Sequence, residues 1–436
     1  MPTETTVIPP APESPAAGQP PLPIQAFDNA LGRRIIELHR WAVREGLQGA
    51  SVEALFNGFC RQLVADGVKL WRGYAAMRTL HPQWSGYGFT WRREHTSVQE
   101  EQFERNTAGN DDPTFGTTPV HHLLVRAEAG EPNPRIRRRL AAGAAERDFP
   151  VLEEFYAAGA TDYFAQVFTF GDGIASQGGG VFFSFTGDGA DGFAEDDLAL
   201  IQTALPALSL AVKAEASHVI ASGLLSAYLG EDAGRRVHAG AVERGSVESV
   251  NAVIWYADIR GFTGIADSEP GLTVVRLLDE VFETLTAPLR RRGGQVMKFI
   301  GDAMLATLSF EAVDRAEACR RALDAVTEAM QALDTMNNGR EFTMLPAARV
   351  DFALHLGEVL YGNIGAADRL DFTVIGPAVN EVDRIEKLCE PLGRSVLVSS
   401  AFAAAAGQPD RLVSLGKHLL RGVREPREIF GLASET

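Results

Sequence analysis

Lysine is scarce in this 436-residue chain: it stands at positions 69, 213, 298, 387 and 417, and every other strong base is arginine. Cysteine is scarcer still. Cys60, Cys319 and Cys389 are too few and too scattered for a disulfide framework or a zinc cage. No run of eighteen apolar residues occurs, so no membrane span is expected. The opening MPTETTVIPPAPESPAAGQPPLP lacks the basic start and apolar stretch of a secretory signal, and residues 1–24 read as a disordered Pro-rich tail. A cytoplasmic location is the expectation that follows. Positive charge is not in excess either. The formal net charge of −16 argues against nucleic acid or an anionic membrane as partner. A chain this acidic must gather positive charge locally, through metal ions or a few basic groups, to hold any anionic ligand.

What is present suffices for two ordinary domains with real cores, since 45% of residues are hydrophobic. Ile24 to Leu47 sets Leu31, Ile35, Leu38, Trp41 and Leu47 at helical spacing, and Ser51 caps a second helix, VEALFNGFCRQLVADG, ending at Gly67. From Leu70 to Arg92 the pattern turns strand-like, in LWRGYAAMRTL and GYGFTWRR. Asn106 to Pro119 reads as a loop. DYFAQVFTFG and GGGVFFSFTG are further strands around the turn Gly171-Asp172-Gly173, and a long helix opens near Glu195 with Asp196 and Asp197 in its first turn. Helix, antiparallel strands and closing helix over 25–215 resemble an α/β GAF-like sensor domain, by element order alone. The likeness implies a small-molecule or other signal that the sequence does not name. Residues 216–249 read as a helical signalling linker that ends in the polar AGAVERGSVES. Two copies of its helix would pair as a short parallel coiled coil; packing on its own domain is the alternative.

From Val250 the pattern is cleaner. VNAVIWYADI is a buried strand, Gly271 to Arg292 a helix, and GGQVMKFIGDAMLATLSF a hairpin turning at Gly301. A helix from Ala312 to Met336 leads to the strand ARVDFALHLG and a hairpin-like pair, VLYGNIG and DFTVIG. A helix from Ala378 to Leu392, the strand VLVSS and a final pair, RLVSLGKHLL and REIFGL, complete the domain. Residues 250–436 thus predict an α+β sandwich of the ferredoxin-like kind. Asp258, in YADIRGFT, and Asp302, in KFIGDAMLA, stand at ends of apolar strands. Singly, each is an ordinary turn residue or helix cap. Side by side, with a backbone carbonyl, they form a site for Mg²⁺ or Mn²⁺, ions that favour hard oxygen donors.

ADIRGFT, KFIGDAMLA and DFTVIGPAVNEVDRIE, in this order and spacing, resemble class III adenylate and guanylate cyclases. The likeness covers nearly all of 250–436, including LGKHLLRGVREPREIF. It implies two ions of Mg²⁺ or Mn²⁺ per active site, held by Asp258, Asp302 and the carbonyl of Ile259. The family's base-reading lysine falls on Lys298 and its partner on Thr373, seven residues before Asn380. An ammonium donates to adenine N1 and a threonine hydroxyl accepts from the exocyclic amine, whereas guanine mismatches both contacts. ATP is therefore the implied substrate and cyclic AMP the product. Thr373 departs from the aspartate of mammalian adenylate cyclases and resembles a bacterial subgroup.

Asn380 and Arg384 are four residues apart, on one helix face. The resemblance makes Asn380 orient the ribose and Arg384 stabilise charge on the α-phosphoryl group. An ion pair of Arg384 with Glu381 or Glu386 is the bland alternative. Gly261, Phe262 and Thr263 would offer backbone amides to phosphate oxygens, and Arg421 falls near the terminal phosphates. Pro377 replaces an acidic residue common in the family, at a first-turn position where proline is tolerated. The family divides each site between two subunits, so this chain, carrying both halves, implies a homodimer with two complete sites. A guanylate cyclase making cyclic GMP, and a catalytically silent nucleotide- or ligand-binding signalling module, are the alternatives.

Other signals are weaker. His121-His122 precedes an apolar run and reads as structural. Cys60 lies on the core side of a helical pattern and reads as a buried thiol. GDGIASQGGG lacks the lysine and following helix of a phosphate loop. Trp71, Tyr74, Trp84, Tyr87, Phe89 and Trp91 either line a ligand pocket or fill a core.

Overall fold

The computed structural model describes residues 29–105, 114–171, 179–310, 313–341 and 346–435. The Pro-rich tail, most of the 106–119 loop and the turn at Asp172-Gly173 lie outside the described residues. The chain forms two compact units, residues 1–220 and 221–436.

In the N-terminal unit, Asn29 and Ser51 accept the N–H groups of Gly32 at 2.7 Å and Ala54 at 3.2 Å, and so start α1 (Ala30–Leu47) and α2 (Val52–Ala65). There follow β1 (Leu70–Arg78), β2 (Trp84–Arg92), β3 (Gln99–Glu104), α3 (Pro119–Glu128), β4 (Arg135–Arg138), α4 (Pro150–Ala157), β5 (Asp162–Thr169), β6 (Gly180–Gly187) and α5 (Glu195–Leu229). The six strands form an antiparallel sheet in the order β3-β2-β1-β6-β5-β4. One face packs Leu70, Phe164, Phe183 and Phe185 against α1, α2 and α5. The other packs Tyr163, Val167 and Phe182 against Leu123 of α3 and Leu152 of α4. Helices on both faces explain why DYFAQVFT and GVFFSFTG are buried almost throughout rather than alternating.

The edge strands β3 and β4, and the helices α3 and α4, are additions to the sequence expectation. QEEQFE is exposed along its whole length and RIRR is four residues long, so neither carries the apolar alternation that marks a strand. Cys60 is fully buried beside Gly73, and burial raises its thiol pKa. Up to Ala216, α5 packs on its own unit, while Val219 and Tyr228 are exposed. Among the described residues α5 alone is long and apolar enough to cross a membrane, and over half of that stretch is buried in the core.

The C-terminal unit contains α6 (Glu231–His238), β7 (Val247–Ile259), α7 (Phe262–Ser268), α8 (Gly271–Arg291), β8 (Gln295–Ile300), β9 (Ala303–Ser309), α9 (Arg315–Glu341), β10 (Val350–Gly365), β11 (Leu370–Ile375), α10 (Pro377–Glu386), α11 (Cys389–Leu392), β12 (Val396–Ser399), α12 (Ser400–Ala406), β13 (Leu412–His418) and β14 (Arg427–Leu432). Its sheet runs β13-β14-β12-β10-β7-β9-β8, with β11 paired to β10. This is the expected α+β architecture. The short helices α7 and α12 are additions to the sequence expectation, and three further details differ. ARVDFALHLG and VLYGNIG are one continuous strand, β10, because β7 offers an unbroken antiparallel ladder from Val350 to Gly362. The helix placed at 378–392 breaks after Glu386 into α10 and α11. Finally, β7 begins at Val247, inside the polar connector, where its first residues are exposed.

Strand β7 is central, and its alternation builds both cores. Val253, Trp255, Ala257 and Ile259 face α8, α9 and α12, while Ile254 and Tyr256 face α10. Asp258 follows at the end of this run.

Candidate active site

The ladder places Asp258 opposite Ala303 of β9, one residue past Asp302 in the tight turn of the β8–β9 hairpin. Gly301 takes φ +64° there, a left-handed conformation suited to glycine. The Asp302 carboxyl lies close enough to Asp258 to act on it, and two carboxylates brought together favour a proton or a cation between them. Burial first, and then Asp302, push the Asp258 carboxyl up to about 7, although the Ile259 N–H pulls the other way. On the other side of β7, Asp351 pairs in register with Asp258. Arg260 claims Asp351 in a two-pronged ion pair, with Nε 2.8 Å from Oδ2, and donates to the Arg394 carbonyl at 2.8 Å. Neither Asp258 nor Asp302 has an ion-pair partner among the described residues.

More negative charge converges here. Glu386 and Asp383 on α10 act on the same locus, and burial followed by Asp258, Asp351 and Asp383 raises the Glu386 carboxyl to about 8. Tyr256, between them, is pushed above its ordinary range by burial and these carboxylates. The donor chemistry fits a hard divalent cation: anionic oxygens in contact, no basic residue supplied, and a neighbouring arginine already committed. No group of three or more His, Cys, Asp or Glu side chains gathers at metal-binding spacing among the described residues. A cation here would rest on Asp258, Asp302 and backbone or ligand oxygens.

The remaining residues lie on α7, β8, β11, α10 and the segment before β14. Gly261, at φ +71°, turns the chain into α7, whose first residues Phe262 and Thr263 have N–H groups that no carbonyl of that helix can reach. Lys298 on β8 is exposed, and its Nζ lies 2.5 Å from Asp371 Oδ2 on β11. Asp371 and Thr373 share one face of β11, one pleat apart, so the ammonium is anchored close to Thr373. Asp371 was not singled out in the sequence; its position two residues before Thr373 was the available signal. Asn380 is exposed on α10. Arg384 makes no ion pair with Glu381 or Glu386 among the described residues; Glu381 instead meets Arg427 at 3.8 Å. The Arg384 guanidinium lies near Gly422, beside the exposed Arg421.

Elsewhere, His121 and His122 sit in α3 against Phe115 and Phe149, with ring centroids 5.5 and 5.6 Å apart. Phe89 and Trp91 are core residues, whereas Trp71, Tyr74 and Tyr87 are only partly buried.

Residues 245–431 match the family described as the adenylate and guanylate cyclase catalytic domain, and the C-terminal unit is a domain of that family. Over 173 residues the chain is 31% identical to an adenylate cyclase of Anabaena cylindrica, covering 39% of this chain and 33% of the relative. Over 178 residues it is 30% identical to adenylate cyclase 1 of Rhizobium meliloti, covering 40% and 26%. The chain thus spans a third or less of these relatives' lengths. The adenylyl cyclase CyaB from P. aeruginosa aligns over 43% of this chain and 96% of its own, with 18% identity and a TM-score of 0.40.

Proposed function

We propose that the protein is an adenylate cyclase that converts ATP to 3′,5′-cyclic AMP and pyrophosphate, acting as a homodimer under control of its N-terminal unit. The observation that carries this reading is the closeness of half-buried Asp258 to Asp302, with no ion-pair partner for either among the described residues, within a cyclase-family domain. Divalent ions bound there would lower the pKa of the attacking 3′-hydroxyl and neutralise charge on the triphosphate.

The chain's own groups account for the rest. Lys298, steadied by Asp371, donates to adenine N1 while the Thr373 hydroxyl accepts from the exocyclic amine. With guanine, both contacts would leave polar groups unpaired, at about 1–3 kcal/mol each. Asn380 orients the ribose. Arg384, free of a carboxylate partner among the described residues, is available to the α-phosphoryl oxygens, where a planar, permanently charged guanidinium matches the developing charge. The amides opening α7, and Arg421, face the remaining phosphates. In the homodimer, Asp258 and Asp302 of one subunit work with Lys298, Thr373, Asn380 and Arg384 of the other.

The test is direct. The full chain with Mn²⁺ is given ATP or GTP, and cyclic nucleotides are quantified; cyclic AMP is expected from ATP. Absence of product from both substrates overturns the enzyme reading, and cyclic GMP as the main product overturns the base assignment. Inactive Asp302→Ala and Arg384→Ala variants, mixed, should recover activity at one composite site per mixed dimer. Failure to recover while subunits exchange refutes the shared site.

A further inference from the structure

Across the α3/α4 face of the N-terminal sheet, register aligns Arg92, Arg72, Thr186, Tyr163 and Arg138 in one row. Arg72 stands in the middle, on β1, just after a bulge that breaks the ladder between Leu70 and Arg72. Its guanidinium lies 5.0 Å from the ring centre of Tyr74 and 5.1 Å from that of Phe155 on α4. Phe155 in turn meets Trp71 edge-on at 6.3 Å. The only hydrogen bond of Arg72 among the described residues is a long one, 3.4 Å from Nη2 to the Thr90 hydroxyl, and no carboxylate there pairs with it. Glu101 acts only as a more distant charge, and burial lowers the guanidinium pKa despite it.

Arginines around it are treated differently. Arg138 is held by Asp148, with Nη2–Oδ2 at 2.7 Å, and Arg137 by buried Asp162 at 2.7 Å. Directly across the ladder from Arg72, the Thr186 hydroxyl is fully buried and has no hydrogen-bond partner among the described residues. A partly buried guanidinium with most of its five N–H donors unused, beside an orphaned hydroxyl and between aromatic walls, is costly in an empty fold. Aromatic faces alone return only about 0.5–2 kcal/mol.

We infer that this face is a binding site for a small organic carboxylate with a planar apolar body. Its carboxylate takes the fork of Arg72 in two parallel N–H···O bonds, and the Thr186 hydroxyl supplies a further donor. Its body lies against Phe155, Tyr74 and Trp71. The assignment is independent of the cyclase reading and gives the N-terminal unit a ligand of defined chemistry.

The full chain is tested with benzoate, its neutral isostere benzamide, and inorganic phosphate, followed by tryptophan fluorescence and thermal unfolding. Benzoate is expected to raise the unfolding temperature saturably and to perturb tryptophan emission, with benzamide and phosphate inert. In Arg72→Met the benzoate response vanishes and the unliganded protein unfolds at higher temperature, because an uncompensated charge has been replaced by an apolar chain of similar size. Arg72→Lys keeps the charge without the planar fork, and should bind benzoate roughly tenfold more weakly even if the methionine variant does not fold. Benzamide or phosphate matching benzoate overturns the carboxylate assignment. No benzoate response in the parent chain, or a lower unfolding temperature of unliganded Arg72→Met, overturns the site and makes Arg72 a structural clamp.

Discussion

The two units solve the same packing problem and leave opposite charges behind. Each covers a sheet with helices on both faces, and each pairs an inward carboxylate with an arginine: Asp162 with Arg137 in the first, Asp351 with Arg260 in the second. Against that background one group of unanswered charge stands out in each unit. The C-terminal unit brings carboxylates together at Asp258, Asp302 and Glu386 without an ion-pair partner, and the N-terminal unit holds the Arg72 guanidinium without an acid, among the described residues. An unpaired charge costs stability unless something of opposite sign joins it. The difference in sign points to a cation at one site and an anion at the other.

The largest effect should come from removing one carboxylate of the acidic group. Asp302→Asn preserves shape and deletes charge, and should lower cyclic AMP formation by about a thousandfold or more. A variant that retains activity within a few fold would separate the carboxylate pair from function. Next, Lys298→Glu should reverse the polarity at the base edge and shift the ATP-to-GTP ratio of kcat/KM by roughly 10–100-fold, from about 1–3 kcal/mol per mismatched contact. An unchanged ratio would leave Lys298 as a mere partner of Asp371.

Paired charges should behave differently. Arg260→Met strands Asp351, which is almost fully buried, and should cost about 3 kcal/mol in urea unfolding. A neutral outcome would erase the contrast with Arg72.

The smallest effect is a pH slope. Burial and its acidic neighbours lift Glu386 from 4.5 to about 8 in the folded chain, so the folded state holds that proton more tightly than the unfolded one. Its contribution to stability is fully present below about pH 4.5 and is lost as pH rises to about 8. The unfolding temperature of Glu386→Gln should therefore fall less across that window than that of the parent. Parallel curves would show that Glu386 ionises freely.

Much of the catalytic-family unit was legible along the chain. Asp258 closes an apolar run, Gly301 marks the turn before Asp302, and the i,i+4 spacing of Asn380 and Arg384 shares a face of one helix, α10. These are local patterns, set by the periods of strand and helix. The N-terminal unit was less legible at its margins. β3 and β4 are edges whose charged residues protect them from further pairing, and that same charge removes the strand signature. Arg72 was one arginine among many; its isolation depends on what β6 and α4 bring beside it.

The sequence by itself determined the elements of both sheets' interiors, the α+β character of residues 250–436, and the placing of Asp258 and Asp302 at strand ends, because side-chain period and turn residues act over a few positions. Tertiary structure alone decided which charges are answered. Arg260 and Asp351 are 91 residues apart, and their pairing commits an arginine two positions from Asp258 to another carboxylate. Electrostatic balance depends on distances across strands that only the sheet's order of pairing sets, so no local pattern could carry it.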